Sequence, residues 1–174
     1  MSLWIVIPVR PFGEGKTRLS PLLSPQQRTA VSRRLFEHTL PTVLTAAGEA
    51  TVLVVSSSDE VLSAASTIGA TPFRETQSHG HSAAAAAGQA FARSYDAREV
   101  LSLSADLPLL TADDVRALIE ADGDVVAAPD VEGTGTNALR LRPPGCIPYA
   151  YGPGSFAKYA TAAVTAGLTF TPLQ

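Results

Sequence analysis

Val100-Leu101-Ser102-Leu103-Ser104-Ala105-Asp106-Leu107-Pro108-Leu109-Leu110-Thr111-Ala112-Asp113-Asp114 holds a strand, a turn and the start of a helix. The run up to Leu103 suits a central strand covered on both faces. Pro108 forces a turn, since it lacks an N–H and fixes its own φ. Thr111 with Asp114 opens a helix by side-chain capping, and Val115, Leu118 and Ile119 are expected to face inward. Asp113 and Asp114 read as first-turn charges that suit the positive end of a helix. A strand that passes directly into a helix is the unit of an α/β layered domain.

Outward from this unit the same alternation recurs. Further strands are read at Leu3–Val9, Ala50–Ser56, Thr71–Phe73, Asp124–Ala128 and Asn137–Leu141. Several are apolar without alternation, so the sheet is expected to be mostly parallel. Ser24-Pro25-Gln26-Gln27 supplies an N-cap, a first-turn proline and a capping-box glutamine, and Val31, Leu35, Val43 and Leu44 roughly continue an apolar face. Pro41 predicts a kink or break in that helix. The alanines from 83 to 87 predict a buried helix packed close to the sheet, because alanine is both the best helix former and small. No period of 20–50 residues recurs.

The bulk properties narrow the function. At 174 residues the chain is expected to form one domain, residues 1–174. A formal charge of -3 gives no basic surface for a nucleic-acid backbone. No apolar run reaches the ~18–20 residues that span a bilayer, and the N-terminus has no signal-peptide pattern, so a cytoplasmic protein is expected. Cys146, the one cysteine, excludes an intrachain disulfide and reads as structural.

Four segments carry candidate chemistry. The loop Arg10-Pro11-Phe12-Gly13-Glu14-Gly15-Lys16-Thr17-Arg18-Leu19 follows the first strand, where open α/β sheets hold their ligands. It suits phosphate binding, although a solvated basic loop has the same composition. It is no Walker loop, because Arg10 stands where that pattern needs glycine. Asp106, delivered at the end of a strand, is placed to bind Mg²⁺ beside substrate phosphates, or else to bond its own turn. Gly133-Thr134-Gly135-Thr136-Asn137-Ala138-Leu139 and Tyr151-Gly152-Pro153-Gly154-Ser155-Phe156 combine small residues with hydroxyls and amides, which lets a backbone approach an anion. Ser155 is a possible helix start, with the free N–H groups that favour anions. His79 and His81 read as loop residues, and no Gly-x-Ser-x-Gly elbow supports a serine nucleophile.

Together, in this order and spacing, the four segments resemble the guanylyltransferases of deazaflavin-coenzyme biosynthesis, which act on 2-phospholactate or phosphoenolpyruvate. The likeness extends over nearly the whole chain. It implies a nucleotide-diphosphosugar-transferase-like fold, a three-layer α/β/α sandwich with a mostly parallel mixed sheet. It implies GTP over the loop after the first strand, near Val9, Gly15 and Arg18, with Gly80 and Ser82 beside the nucleotide. Lys16 would contact phosphates, Asp106 would hold Mg²⁺, and Thr136, Gly152 and Ser155 would receive the phosphorylated acid. A homodimer is a further implication.

Two departures from that family stand out. Ser82 occupies the place of an asparagine, and the Asp-x-Asp-Thr-Pro segment whose acids complete the metal site is not among these residues; a sequence that is truncated, a neighbouring subunit, or another part of the chain, with Asp130 and Glu132 the nearest intramolecular candidates, would account for it. The alternatives are a molybdopterin-type nucleotidyltransferase of the same fold, and a protein that binds nucleotide or metabolite without turnover. The expected reaction is in-line attack of a substrate phosphate on the α-phosphorus of GTP. A phosphate is already ionised near neutral pH, so no strong general base is needed.

Overall fold

The computed structural model describes residues 2–76 and 80–173. In chain order the elements are β1 (Leu3–Pro8), α1 (Pro25–Ala46), β2 (Thr51–Ser56), α2 (Asp59–Ile68), β3 (Thr71–Arg74), α3 (His81–Arg93), β4 (Glu99–Leu103), α4 (Ala112–Glu120), β5 (Val125–Pro129), β6 (Thr136–Leu141), α5 (Ser155–Thr165) and β7 (Phe170–Pro172). The strands form one sheet in the order β3-β2-β1-β4-β6-β5-β7. Neighbours pair in parallel except at β6, which runs antiparallel to both β4 and β5.

Successive side chains of a strand point to opposite faces, and here both faces are apolar. Ile5 and Ile7 join a core with Phe36, Leu40 and Val43 of α1, Val61 of α2 and Val115 and Leu118 of α4. Trp4 and Val6 pack against Ala84 and Ala92 of α3 on the other face. Val125, Ala127, Leu139 and Leu141 meet Tyr159 and Ala163 of α5. The result is a three-layer α/β/α sandwich on a mixed, mostly parallel sheet. The small residues of α3 bring it close to the sheet: a Cβ on Gly88 would lie 2.4 Å from Cγ1 of Val6.

Both capping boxes form. Ser24 and Gln27 cap α1 reciprocally, as Thr111 and Asp114 cap α4. The break expected at Pro41 does not occur, and α1 continues through it to Ala46. Proline in a helix interior costs about 3 kcal/mol. Burial of Phe36, Leu40 and Val43 on both sides of Pro41 offsets that loss, since each such side chain contributes about 1.5–3 kcal/mol. The buried stripe of α1 is therefore centred on Phe36, Leu40 and Val43, while Val31, Leu35 and Leu44 are only half-buried. Two elements have no counterpart in the sequence reading, α2 and the three-residue β7.

A buried arginine locks the antiparallel strand in place. Arg140 of β6 is fully buried, and its guanidinium donates to the carbonyls of Ile119 and Gly123 at 2.6 and 3.2 Å. Glu99 lies 3.6 Å from it and also pairs with Arg142 at 3.0 Å. Burial pushes the Arg140 guanidinium downward and the Glu99 charge opposes this, which keeps the ion paired.

Candidate active site

Parallel pairing of β1 with β4 puts the loops after both strands at one edge of the sheet. Antiparallel β6 begins at that same edge, where the Ser104 N–H donates to the Asn137 carbonyl at 2.9 Å. The α3 and α5 helices also start there, so the sheet topology brings together all four segments singled out in the sequence.

The loop after β1 is anchored by its aromatic residue. Phe12 is buried 5.5 Å from Phe36 of α1, with the Arg33 guanidinium over its ring. Gly15 sits so close to α1 that a Cβ would lie 2.9 Å from the Ser32 hydroxyl. Lys16 then adopts a left-handed backbone, φ 58 and ψ 33, and a short 3₁₀ turn from Thr17 to Leu19 follows. This conformation turns the lysine toward β4, and its ammonium donates to the Asp106 carboxylate. Lys16 and Asp106 are thus neighbours at adjacent strand tips, with side chains 23% and 50% exposed.

Two cavities flank this ion pair. The first, of about 270 Å³, is lined by the β1 loop, including Val9, Arg10, Gly15 and Lys16, and by His81, Ser104 and Asp106. Gly80 lines a small recess with Val9, Arg10 and His81. The second, of about 610 Å³, is lined by Arg18, Asp130, Glu132, Thr136, Asn137, Tyr151 and Gly152, and again by His81, Ser104 and Asp106. Thr136 and Ser155 meet by their hydroxyls at 2.9 Å, Ser155 fully buried behind Thr136. The carboxylate of Asp130 accepts from the Thr134 N–H at 2.9 Å and shapes the turn before β6; a Cβ on Gly135 would collide with it.

The sequence-predicted residues therefore divide. Val9, Gly15, Lys16 and Asp106 line the first cavity and Gly80 the small recess beside it; Thr136, Gly152 and again Asp106 line the second, while Ser155 is fully buried and lines neither. Arg18 faces the second cavity rather than the first. The Ser82 hydroxyl is engaged elsewhere: it accepts from the Tyr151 N–H at 2.9 Å and ties the glycine-rich loop to the first turn of α3. His81 is not a loop residue but the first residue of α3, in the wall of both cavities. Its ring packs edge-on against Tyr151 with centroids 4.4 Å apart. Burial, opposed by the Asp106 charge and reinforced by Arg10, pushes its imidazole from 6.5 down to about 4. His79 lies outside the described residues. Arg10, Ser104 and Tyr151 lie within the quoted segments without being singled out as site residues there, and His81 reads as a loop residue in the sequence.

Among the described residues no three histidine, cysteine or acidic side chains gather into a metal site. Asp106 alone, half-exposed at a strand tip, fits a magnesium ion that arrives on phosphates, because Mg²⁺ commonly takes one or two protein carboxylates and completes its shell with phosphate and water. Asp130 and Glu132 share the second cavity with Asp106.

Known proteins resemble this chain in sequence and in fold. A phosphoenolpyruvate guanylyltransferase of Rubrobacter xylanophilus is 39% identical over 171 residues, 97% of this chain and 82% of that protein. A 2-phospho-L-lactate guanylyltransferase of Methanosphaera stadtmanae is 27% identical over 88% of this chain and 68% of its own length. Among solved structures, a putative nucleotide-diphospho-sugar transferase from Desulfovibrio desulfuricans superposes with a TM-score of 0.75 at 16% identity, covering 99% of this chain and 80% of that one, which establishes the shared fold. The family model described as "Guanylyl transferase CofC like" matches residues 3–171, a span that takes in every strand tip and loop of the two cavities. Sequence and fold agree, and the chain belongs to this guanylyltransferase family as a nucleotidyltransferase.

Proposed function

We propose that the chain transfers GMP from GTP to the phosphate of phosphoenolpyruvate, within deazaflavin coenzyme biosynthesis. One observation carries the reading: the Lys16–Asp106 pair stands where a cavity on the phosphate-binding loop meets a cavity lined by Thr136 and Gly152. The curated relative at 39% identity is named for phosphoenolpyruvate, which favours it over 2-phospholactate as acceptor. The family match leaves the molybdopterin-type alternative without support.

An acceptor phosphate oxygen attacks the α-phosphorus of GTP and forms a new P–O bond. The bond from that phosphorus to the α–β bridging oxygen breaks, and its electron pair leaves with pyrophosphate. The attacking oxygen is already ionised, so the obstacle is repulsion between two polyanions. Lys16 holds cationic charge at the meeting point, and Arg10 and Arg18 extend it into the two cavities. Thr136 presents its hydroxyl to the acceptor and is held by the buried Ser155 hydroxyl behind it, so that the reactants meet in line. Mg²⁺ held by Asp106, when bound, supplies charge neutralisation on the phosphates. One domain over residues 1–174, working in the cytoplasm as a homodimer, completes the reading.

The test is pyrophosphate release from GTP with phosphoenolpyruvate, 2-phospholactate and other phosphorylated three-carbon acids, with and without Mg²⁺. Metal-dependent release that is fastest with phosphoenolpyruvate is expected. Binding of GTP without release for any acceptor would point instead to a non-catalytic protein. Light scattering of the purified chain checks the dimer.

A further inference from the structure

We propose that His81 is a catalytic residue that donates one uncharged hydrogen bond to the transferring α-phosphoryl group at the seam of the two cavities. The proposal rests on the reading above, in which one cavity takes GTP and the other the acceptor. An atom that both reactants must reach has to lie where the cavities share a wall. The side chains common to both are His81, Ser104 and Asp106. Asp106 is an anion paired with Lys16, and by itself it repels a phosphoryl oxygen. His81 is the large polar side chain that remains.

Its ring is held firmly and its protonation follows from its surroundings. Tyr151 packs edge-on against it, and Ser82, the next residue, is bonded to the Tyr151 backbone. Nε2 is enclosed and, among the described residues, has no hydrogen-bond partner. A buried N–H without an acceptor is rarer in folded proteins than a buried lone pair without a donor, so the proton of the neutral ring belongs on Nδ1, which is not enclosed in that way. The depressed basicity described above keeps the ring neutral around pH 7. A neutral donor aimed at the phosphoryl oxygen stabilises the charge that builds there, and it does so without an ion pair that product would have to break. The Tyr151–Ser82 bond ties the loop that carries Gly152, on the acceptor side, to the turn that carries His81.

Turnover, GTP affinity by calorimetry and melting temperature are compared for the natural chain, His81→Leu and His81→Gln. The leucine variant is expected to lose about 10- to 100-fold in kcat while its GTP dissociation constant stays within about threefold, and the glutamine variant, which retains an N–H, is expected to regain about tenfold of that loss. A leucine variant with kcat within about twofold of the natural chain overturns the proposal. So does equal loss in both variants accompanied by lost GTP binding, which marks a packing role. Should neither variant fold, ¹⁵N signals of the three histidines in the natural chain decide: a ring Nδ1–H resonance that shifts when a non-hydrolysable GTP analogue and phosphoenolpyruvate are added supports the contact, and unchanged signals refute it. A natural chain inactive with every acceptor would sink the underlying reading, and this inference with it, whereas an active chain indifferent to His81 would sink the inference alone.

Discussion

The two cavities are built from opposite materials. The first stands on parallel strands and a loop bound tightly to α1 through Phe12 and Gly15, and its walls set Arg10 and Lys16 against Glu14 and Asp106. The second stands on antiparallel β6, a glycine turn and the loop before α5, and among its described residues sets Arg18 alone against Asp106, Asp130 and Glu132. A phosphorylated acid entering the second cavity meets a surplus of carboxylates. The difference teaches an order of events: the first cavity is suited to a polyanion as it stands, whereas the second needs cationic charge brought in with the nucleotide.

Four measurements break or sharpen that contrast. Lys16 lines the first cavity and pairs with Asp106, which lines both, so Lys16→Ala is expected to lower kcat/KM for GTP and acceptor alike by about 10²–10³, roughly 3–4 kcal/mol, in steady-state pyrophosphate assays; a loss confined to one substrate would assign the lysine to one side. His81 forms the wall between them and is depressed to about 4 in the folded chain, against 6.5 when unperturbed. Between those values the unfolded chain binds the proton and the folded chain does not. The stability contribution is complete above about pH 6.5 and is lost as pH falls toward 4, by up to about 2–3 kcal/mol. Urea melts across this range should show the loss in the natural chain and a flatter curve in His81→Leu.

On the acceptor side, Thr136→Val removes the partner of the buried Ser155 hydroxyl. That loss should cost about 1–2 kcal/mol of folding stability in urea melts, and loss of the Thr136 hydroxyl from the cavity should raise the acceptor KM with GTP affinity unchanged. The smallest effect concerns the acid surplus itself. Glu132→Gln is expected to tighten binding of phosphoenolpyruvate by about threefold when calorimetry is run without nucleotide, and to change little once Mg²⁺ and a GTP analogue are present. Weaker binding in Glu132→Gln would mean that this carboxylate serves the acceptor through a cation.

Much of the fold could be read from text because local signals agreed with burial. The apolar runs that became β1, β2 and β4 needed no tertiary information, and Ser24 and Thr111 cap helices as their neighbours Gln27 and Asp114 predict. Reading fails where packing overrides a local rule. Pro41 is accommodated because the residues around it are buried, and β7 is too short to show a period. Helix α2 does have marked ends, with the Ser58 hydroxyl accepting from the Val61 N–H and Gly69 closing it at φ 113, but its short apolar stripe is easily passed over. Within the site, Lys16 and Asp106 stand out because their motifs follow strands. His81 does not, for its position depends on how closely α3 docks on β1, and that distance is set by Gly88 far along the helix.

The left-handed backbone of Lys16 separates two contributions that a single substitution usually merges. A side chain other than glycine resists that conformation by about 1–2 kcal/mol, so the packing of Phe12 and Gly15 against α1 is what holds the loop in its bent shape. Lys16→Ala deletes the charge and keeps the steric resistance; Lys16→Gly deletes the charge and relaxes the bend. Comparing these two neutral variants measures how far nucleotide capture draws on a shape that exists before the encounter.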